Sequence, residues 1–454
     1  MGILFGIVRI AKLHFSELSK NDVVLRFSSE RPFAFVKGEM IFAARLSSDI
    51  KELTKQLGSS SGDVLVCCKG RYAFCVAILA IWLAGRKVVL PPNLHQVTLD
   101  YISKAHNITT QLDDSFLLSS CASTDVFDKA CLELVFKLKK EALIIYTSGS
   151  SGEPKAVTKT IGNLFSEAFS IKATVQNSVR PLVASVPPNH LYGLTFSIIL
   201  PWVLGVAVVD ECPLHAEEVL DMMAAVQADV LVTVPVHLSA MLEQDIVRVP
   251  SLVISSAGRL DEDLAKRWYE RFGHEIFEVY GSTETGVIAY RQQLSDQHWQ
   301  AFPHVCTDQS GDCLQVSSPF IHSSEGNMFQ SNDRVSLHEN GFILHGRTDA
   351  IVKIAGKRVS LLAIEKAVKT CEGIMDVAVV AVPVKGHIRD MAIWIALACE
   401  EGLTVREVRA MLYMKLDGVE IPRRIVIRKT LPREDNGKLR RSKILDLFEA
   451  KDNA

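Results

Sequence analysis

Short runs of β-branched and apolar residues alternate along the chain with segments of helical periodicity. The segment Leu214–Val226, for example, carries apolar residues at helical spacing. The runs that predict strands are Val64–Val66, Val88–Leu90, Leu143–Tyr146, Val230–Val234, Leu252–Ser255 and Ile276–Tyr280. Such alternation predicts an α/β fold with largely parallel sheets. Open sheets of this kind bind ligands beyond the carboxyl ends of their strands, so the loops that follow the runs are the candidate sites.

The pattern changes after about residue 346. A strand, a helix, two strands, a helix and a strand are predicted at Ile351–Ile354, Leu361–Val368, Val377–Val382, Ile393–Ala398, Val405–Leu416 and Arg424–Ile427. Thr404 and Glu407 form a capping-box signature for the second helix. We predict a large multi-sheet N-terminal domain over residues 1–346, a connection at 347–349 and a small α+β domain over 350–454. The polar stretch His322–Asn332 is the most loop-like part of the large domain.

Composition narrows the class of partner. The formal charge of the 454-residue chain is -2, which gives no general attraction to nucleic acid or to an anionic membrane. The longest apolar run, Ala73–Ala84, is too short to span a bilayer. Arg9 and Lys12 interrupt the apolar N-terminus, which does not fit a signal peptide. The ten cysteines form no CxxC pair, so we expect a cytoplasmic protein that acts on a small molecule.

One strand runs into a loop suited to polyphosphate, in the segment LIIYTSGSSGEPK. Its candidate phosphate-binding residues are Thr147, Ser148, Gly149, Ser150, Ser151, Gly152 and Lys155. Glycines allow close backbone approach, amides and hydroxyls donate hydrogen bonds, and the lysine adds positive charge. The spacing is not the Walker A pattern, because Pro154 precedes the lysine and no GK[ST] follows. The alternative is a flexible Gly/Ser connection.

This segment resembles the YTSGSTGxPKG phosphate loop of the adenylate-forming superfamily. That superfamily includes acyl-CoA synthetases, nonribosomal-peptide adenylation domains and luciferases. Ser151 replaces the usual threonine, and Ala156 replaces the last glycine. Further segments follow in the order of the family over roughly residues 60–445. The resemblance implies an AMP-binding domain followed by a small mobile lid domain.

The segment VYGSTETG resembles the YGxTE element of the family. The resemblance implies nucleotide binding at Tyr280, contact of Thr283 with the α-phosphate, and a magnesium ligand at Glu284. A carboxylate beside a triphosphate is unfavourable unless a divalent cation lies between them. The alternative for Glu284 is a solvated acid in a turn. Upstream, Gly258 resembles the small residue against which adenine lies.

Two segments resemble the ribose site and the hinge. Asp333 in QSNDRV resembles the aspartate that binds the ribose hydroxyls, although the family usually has TGD there. In GRTDAIVKIAGK, the resemblance implies ribose contact for Arg347, the hinge at Asp349 and the thiol tunnel at Gly356. The alternative is an exposed ion pair between Arg347 and Asp349.

Near the end, LPREDNGKLR resembles the LPRxxxGKxxR element, which makes Lys438 the candidate catalytic lysine. A substrate carboxylate and an α-phosphate are both anions, and an ammonium group can bridge their oxygens as charge redistributes. The alternative is a basic surface face, since several arginines and lysines flank Lys438.

The acyl pocket is predicted at residues 187–199 and 234–242. His190 resembles the residue that gates the carboxylate site, although a single histidine in an apolar segment is often structural. Amino-acid-activating relatives carry an aspartate shortly afterwards, where this chain has Gly193, Leu194 and Thr195. A buried ammonium without an anion is costly, which disfavours amino acids and leaves aryl and medium-chain acids open.

The resemblance and the residues together predict an ATP-dependent carboxylic-acid ligase that forms an acyl-adenylate and then a thioester. The implied cofactors are ATP and Mg²⁺, with CoA or a phosphopantetheinyl acyl carrier protein as the acceptor. Two alternatives are an adenylase that makes no thioester and a nucleotide-binding sensor or scaffold with reduced catalysis. Retention of Lys155, Glu284, Asp333, Arg347 and Lys438 argues against the second.

Overall fold

The computed structural model describes residues 21–28, 32–58, 61–106, 108–117, 131–148, 154–175, 180–244, 250–322, 326–348, 351–354, 357–383, 391–399, 401–416, 418, 420–434 and 439–449. These residues belong to two units. The first comprises residues 1–149, 153–307 and 316–329, and the second comprises 150–152, 308–315 and 330–454. Each unit is described separately. The boundaries at 346 and 350 and the hinge stay predictions.

The first unit contains sixteen described strands and nine described α-helices. Its strands are β1 (Asp22–Ser28), β2 (Pro32–Val36), β3 (Glu39–Phe42), β4 (Val64–Val66), β5 (Val88–Leu90), β6 (Thr110–Leu112), β7 (Cys131–Lys137), β8 (Glu141–Ser148), β9 (Pro154–Thr160), β10 (Leu182–Ala184), β11 (Val208–Val209), β12 (Val230–Thr233), β13 (Leu252–Ser255), β14 (Ile276–Ser282), β15 (Gly286–Gln292) and β16 (Gln300–Ala301). Its helices are α1 (Ala43–Leu57), α2 (Arg71–Leu83), α3 (Gln96–Ala105), α4 (Ile161–Thr174), α5 (Leu191–Leu194), α6 (Leu200–Leu204), α7 (Ala216–Ala225), α8 (Pro235–Leu242) and α9 (Glu262–Phe272). A π-helical turn, Thr195–Ile199, joins α5 to α6.

Two larger sheets dominate this unit. One has the strand order β6-β4-β5-β8-β9 and the other has β10-β12-β13-β14-β15-β16. Strands β6, β4, β5 and β8 are parallel, and so are β10, β12, β13 and β14. Only the last strands, β9 in one sheet and β15 and β16 in the other, return antiparallel. The prediction of largely parallel sheets is therefore confirmed, and the carboxyl ends of β8 and β14 each open into a hairpin.

Helix α2 forms the centre of the first core. It is apolar on every side, and twelve of its thirteen residues are buried. A helix with no polar face has to lie inside the molecule. Trp82 fills the core beside Phe136 and Trp202, and its indole N–H donates to Ala142 O at 3.0 Å. This explains why the run Ala73–Ala84 is apolar without crossing a membrane. No described helix is long and apolar enough to span a bilayer.

The second unit carries the small α+β pattern that the sequence predicts. The remaining described strands are β17 (Cys306–Ser310), β18 (Cys313–Ser317), β19 (Met328–His338), β20 (Gly341–Arg347), β21 (Ile351–Ile354), β22 (Lys357–Ser360), β23 (Ile374–Pro383), β24 (Met391–Cys399) and β25 (Arg424–Arg428). Strands β17, β18, β19 and β20 form one sheet in that order. Its helices are α10 (Leu361–Lys369), α11 (Val405–Tyr413) and α12 (Arg441–Glu449). Thr404 and Glu407 form the predicted capping box of α11.

One prediction for this region is wrong in part. Residues 328–332 of the predicted loop form the start of β19. Only Ser331 and Val335 are buried in this eleven-residue strand, so it shows little of the apolar alternation that marks a strand in sequence. Its pairing with its neighbours β18 and β20, rather than apolar burial, defines it as a strand.

Candidate active site

The predicted phosphate loop joins β8 to β9 at the carboxyl end of β8. Gly149, Ser150, Ser151 and Gly152 lie outside the described residues, and Ser148 is the last residue of β8. Thr147 and Lys155 are cross-strand partners at the base of the loop. The Thr147 hydroxyl donates to Lys155 O at 3.4 Å. The antiparallel return of β9 therefore fixes the lysine beside the threonine.

The second predicted motif forms the tip of the β14–β15 hairpin, residues 283–285. Its backbone follows a path that only glycine permits at position 281, because a Cβ there would stand 2.4 Å from Gly286 O. The buried hydroxyl of Thr285 donates to Gly286 O at 2.8 Å. These contacts hold Thr283 and Glu284 in a defined turn.

Lys155 and Glu284 meet, although they lie 129 positions apart. Lys155 Nζ is 3.2 Å from Glu284 Oε1, with the lysine 58% exposed and the glutamate 19% exposed. Burial alone would raise the pKa of Glu284. Hydrogen bonds from its own backbone N–H and from the Lys155 ammonium outweigh burial and hold that pKa below its usual value. The site therefore presents an ionised carboxylate beside an ammonium at neutral pH.

A buried lysine and a buried glutamate lie behind the hairpin tip. The Lys159 ammonium donates to Glu284 O and to Phe320 O, both at 2.8 Å. Glu167 of α4 accepts the Val287 N–H at 2.9 Å. Neither Lys159 nor Glu167 is predicted from the sequence as a residue of the site. The available signal was that Lys159 shares one face of β9 with Lys155, since side chains alternate along a strand.

The predicted adenine segment follows β13. Ala257 has φ 64°, a left-handed conformation that alanine rarely adopts. The Ser256 hydroxyl donates to Val279 O at 2.8 Å, which ties this segment to β14. A Cβ on Gly258 would stand 3.4 Å from Pro235, ordinary van der Waals contact. The sequence singled out Gly258, whereas the unusual backbone belongs to its neighbour.

Tyr280 lies in β14, immediately before the bulge that leads to the hairpin tip. Its ring centroid is 5.5 Å from that of Trp299. Gly258 follows β13, and Tyr280 lies near the carboxyl end of the neighbouring β14, the end from which the hairpin tip with Glu284 continues. Strand order accounts for this grouping.

The predicted acyl segment contains an unusually close backbone approach. His190 precedes α5 as its N-cap residue, and its carbonyl accepts the Leu194 N–H at 2.8 Å. A Cβ on Gly193 would stand 1.9 Å from Pro187 O, so position 193 has no room for a side chain. The Tyr192 hydroxyl lies 3.0 Å from the carbonyl oxygens of the strand ends β12 and β13. The helix start is therefore held against the sheet.

A polar network that is not predicted from the sequence lies at the ends of β10 and β12. Ser185 Oγ is 2.7 Å from Thr233 Oγ1 and 2.8 Å from His237 Nδ1. Burial lowers the pKa of His237 below 6.5, so the ring is neutral at pH 7. Nothing in the spacing of residues 185, 233 and 237 indicates this contact, because it depends on strand order.

In the second unit, the two predicted ribose residues face each other across β19 and β20. Asp333 and Arg347 are cross-strand partners, and Arg347 Nη1 is 3.8 Å from Asp333 Oδ1. The Ser331 hydroxyl accepts the Asp333 N–H at 3.0 Å. Asp349, the predicted hinge residue, lies outside the described residues. Arg347 therefore has an acidic neighbour other than the one that the exposed-pair alternative proposes.

Lys438 and Gly356 also lie outside the described residues, but the segment on either side of Lys438 is described. Arg433 and Leu439 form an isolated antiparallel bridge. Arg433 binds Asp376 with Nη2–Oδ2 at 2.7 Å, and Arg440 pairs with Glu434. Arg433 and Arg440, two arginines of the alternative basic face, thus form ion pairs with acidic residues of the same unit.

The first unit is a multi-sheet α/β structure in which loops from two sheets meet at an ammonium–carboxylate pair. α/β sheets of this kind bind ligands at the carboxyl ends of their strands, where this charged pair lies. The sequence model described as "AMP-binding enzyme" matches residues 51–308, more than half of the chain. The chain belongs to the AMP-binding enzyme family.

Several known proteins are similar to the chain. A 4-coumarate--CoA ligase of Cereibacter sphaeroides is 27% identical over 299 residues, which cover 64% of this chain and 69% of that protein. The mitochondrial malonate--CoA ligase ACSF3 of Mus musculus is 24% identical over 375 residues, covering 67% of this chain and 64% of that protein. The o-succinylbenzoate CoA synthetase MenE of Bacillus subtilis, solved with ATP and a magnesium ion, superposes with a TM-score of 0.77. It is 18% identical and covers 92% of this chain and 97% of that structure.

Proposed function

We propose that this chain is an ATP-dependent, AMP-forming carboxylic-acid ligase that makes an acyl-adenylate and passes its acyl group to a thiol. The observation that carries this proposal is the contact between Lys155 and Glu284 at 3.2 Å. It joins the phosphate-loop strand of one sheet to the acidic hairpin of the other, so one charged site has both an anion-binding and a cation-binding group. Both relatives described above are named CoA ligases, which supports the proposal.

The residues fit a magnesium-bound triphosphate. Glu284 is ionised, and Mg²⁺ is usually held by one or two carboxylates together with substrate phosphates. Lys155 and the Thr147 hydroxyl would bind phosphate oxygens, and Thr283 would contact the α-phosphate. The loop between Thr147 and Lys155 would supply further donors from Ser148, Gly149, Ser150, Ser151 and Gly152. When bound, Mg²⁺ would neutralise charge on the phosphate oxygens.

The resemblance to the family assigns four described residues to the nucleoside. Gly258 and Tyr280 would contact adenine from the ends of β13 and β14. Asp333 would accept hydrogen bonds from the ribose hydroxyls, with Arg347 beside it. Arg347 Nη1 is 3.8 Å from Asp333 Oδ1, so the arginine would add positive charge beside that carboxylate.

In the first half-reaction, a substrate carboxylate oxygen attacks the α-phosphorus. The bond from that phosphorus to the bridging oxygen of the β-phosphate breaks, and pyrophosphate leaves. His190 would orient the carboxylate, and the Lys438 ammonium would neutralise charge between the two reacting anions. In the second half-reaction, a thiolate attacks the acyl carbon and AMP leaves. Rotation about Asp349 would exchange Lys438 for the loop that contains Gly356 and lines the thiol path.

We propose an aryl or medium-chain acid as the substrate. Position 193 has no room for the aspartate that binds an ammonium group in amino-acid-activating relatives. Thr195 donates to the buried Glu167, and burial raises the pKa of that carboxyl group, which disfavours its charged form. A substrate ammonium would therefore lack an available anion among the described residues near α5. The thiol belongs to CoA or to a phosphopantetheinyl carrier protein.

A pyrophosphate-release panel tests this proposal. Aryl acids, medium-chain fatty acids and amino acids are each supplied with ATP and Mg²⁺, first without a thiol and then with CoA or a carrier protein. We expect release with an aryl or medium-chain acid and a thioester with one acceptor. Release with no thioester would identify an adenylase. Release with amino acids alone would contradict the assigned substrate class.

A further inference from the structure

Lys159 and Glu167 are two buried ionisable side chains directly behind the hairpin tip that carries Glu284. Lys159 is 0% exposed and Glu167 is 2% exposed. Burial raises the pKa of Glu167, and the Lys159 charge opposes that rise. Removing two charges from water is costly, and such a pair often contributes little to stability compared with apolar residues of the same volume. Its contacts therefore need an explanation other than stability.

Lys159 contacts the backbone of the residue that would bind the metal. Its ammonium donates to Glu284 O at 2.8 Å and to Phe320 O at 2.8 Å. The carbonyls on both sides of Phe320 are in turn held by Asn163, whose side-chain amide donates to Pro319 O and Ile321 O. The segment around Phe320 is thus held in place, and the Lys159 ammonium links it to the carbonyl of Glu284.

Glu167 holds the same turn three residues later. Its Oε1 accepts the Val287 N–H at 2.9 Å. Gly286 has φ +73°, and a Cβ at that position would lie 3.0 Å from the Glu167 carboxylate. The carboxylate thus packs against the turn where only glycine fits without strain. Lys159 thus constrains the peptide unit between Glu284 and Thr285, and Glu167 constrains the one between Gly286 and Val287.

We propose that Lys159 and Glu167 are positioning residues that hold the Glu284 carboxylate in the place where it binds Mg²⁺ with ATP. This inference rests on the proposed function. With its carbonyl fixed, Glu284 projects its carboxylate from a defined point toward Lys155. Groups that orient a metal ligand typically change metal affinity by about 10- to 100-fold when they are removed.

The test is calorimetric titration of ATP, with Mg²⁺ and with EDTA, into the wild type and Lys159→Met/Glu167→Leu. The double variant removes both charges, so neither is left buried alone. We expect similar affinity in EDTA and a Mg²⁺-dependent tightening that is reduced about tenfold or more. A folded double variant with the wild-type tightening would overturn the inference. If the wild type does not bind ATP at all, both this inference and the proposed function are overturned.

Two further variants separate positioning from folding. Glu167→Gln keeps an acceptor for the Val287 N–H, and we expect it to retain more of the Mg²⁺ response than the double variant does. Lys172→Met is the control outside the site. Lys172 is partly buried and, like Lys159, donates to a backbone carbonyl, here Val203 O at 2.9 Å. We expect a wild-type Mg²⁺ response from Lys172→Met. An equal loss of response in Lys172→Met and Glu167→Gln would show a general effect of destabilisation and overturn the inference.

Discussion

Replacing Glu284 with glutamine separates the stability of the site from its chemistry. The change keeps side-chain volume and removes one negative charge 3.2 Å from Lys155 Nζ. At that distance the gross attraction is about 5 kcal/mol for an effective dielectric constant of about 20. Because Lys155 is 58% exposed, solvent screens the pair, and we expect a net stability loss of about 1 kcal/mol or less. In a unit of this size that corresponds to a fall in Tm of about 2 °C.

The expected effect on turnover is far larger. Loss of one preorganised electrostatic contact to a transition state typically costs about 10²- to 10³-fold in rate. We therefore expect Glu284→Gln to lose acid-dependent pyrophosphate release at saturating ATP and Mg²⁺, with a nearly unchanged melting curve. Glu133→Gln is the matched control, because it breaks a strand-surface ion pair with Arg26 at 2.7 Å. Wild-type turnover by Glu284→Gln at saturating Mg²⁺ would refute the assignment.

Four further predictions concern single positions. Lys438→Ala should slow acyl-adenylate formation by about 100-fold or more and spare thioester formation from presynthesised acyl-AMP; equal loss in both assays would contradict this. Asp349→Pro should spare pyrophosphate release and slow thioester formation, because proline fixes φ at the hinge. Gly193→Ala should lower the free energy of unfolding by about 3 kcal/mol in chemical denaturation, since its Cβ would meet Pro187 O at 1.9 Å. The folded pKa of His237 lies below its unfolded value of 6.5, so the unfolded state binds more protons, and stability should fall as pH drops below about 6.5. His237→Gln should show a smaller fall.

Most of the architecture could be predicted from local sequence. Strands β4, β5 and β13 match the predicted runs residue for residue, and α7 lies within its predicted segment. The three strands are short apolar runs bounded by turn residues, and α7 carries apolar residues at helical spacing, so local sequence identifies these elements. The rule that ligands bind at strand carboxyl ends marks the loops of Lys155 and Glu284 as candidate sites. Their contact joins two different sheets and depends on the tertiary structure.

The missed features depend on tertiary contacts. Strand β19 is defined by pairing with β18 and β20 and not by an apolar face. Lys159 looks like a surface residue in sequence, and it is buried only because α4 supplies Glu167 and distant segments supply carbonyl acceptors. The contact of Ser185 with His237 requires β10 and β12 to be neighbours, which spacing alone does not give. Long-range contacts of this kind leave no periodic signal.

The most direct test of the central claim is to identify the products formed without any thiol. The protein is incubated with ATP, Mg²⁺ and an acid that stimulates pyrophosphate release, and the mixture is analysed by mass spectrometry. We predict acyl-AMP and pyrophosphate, followed by loss of acyl-AMP and appearance of AMP and a thioester when CoA or a carrier protein is added. Formation of ADP and phosphate in place of AMP and pyrophosphate would contradict attack at the α-phosphorus and, with it, the function proposed for this chain.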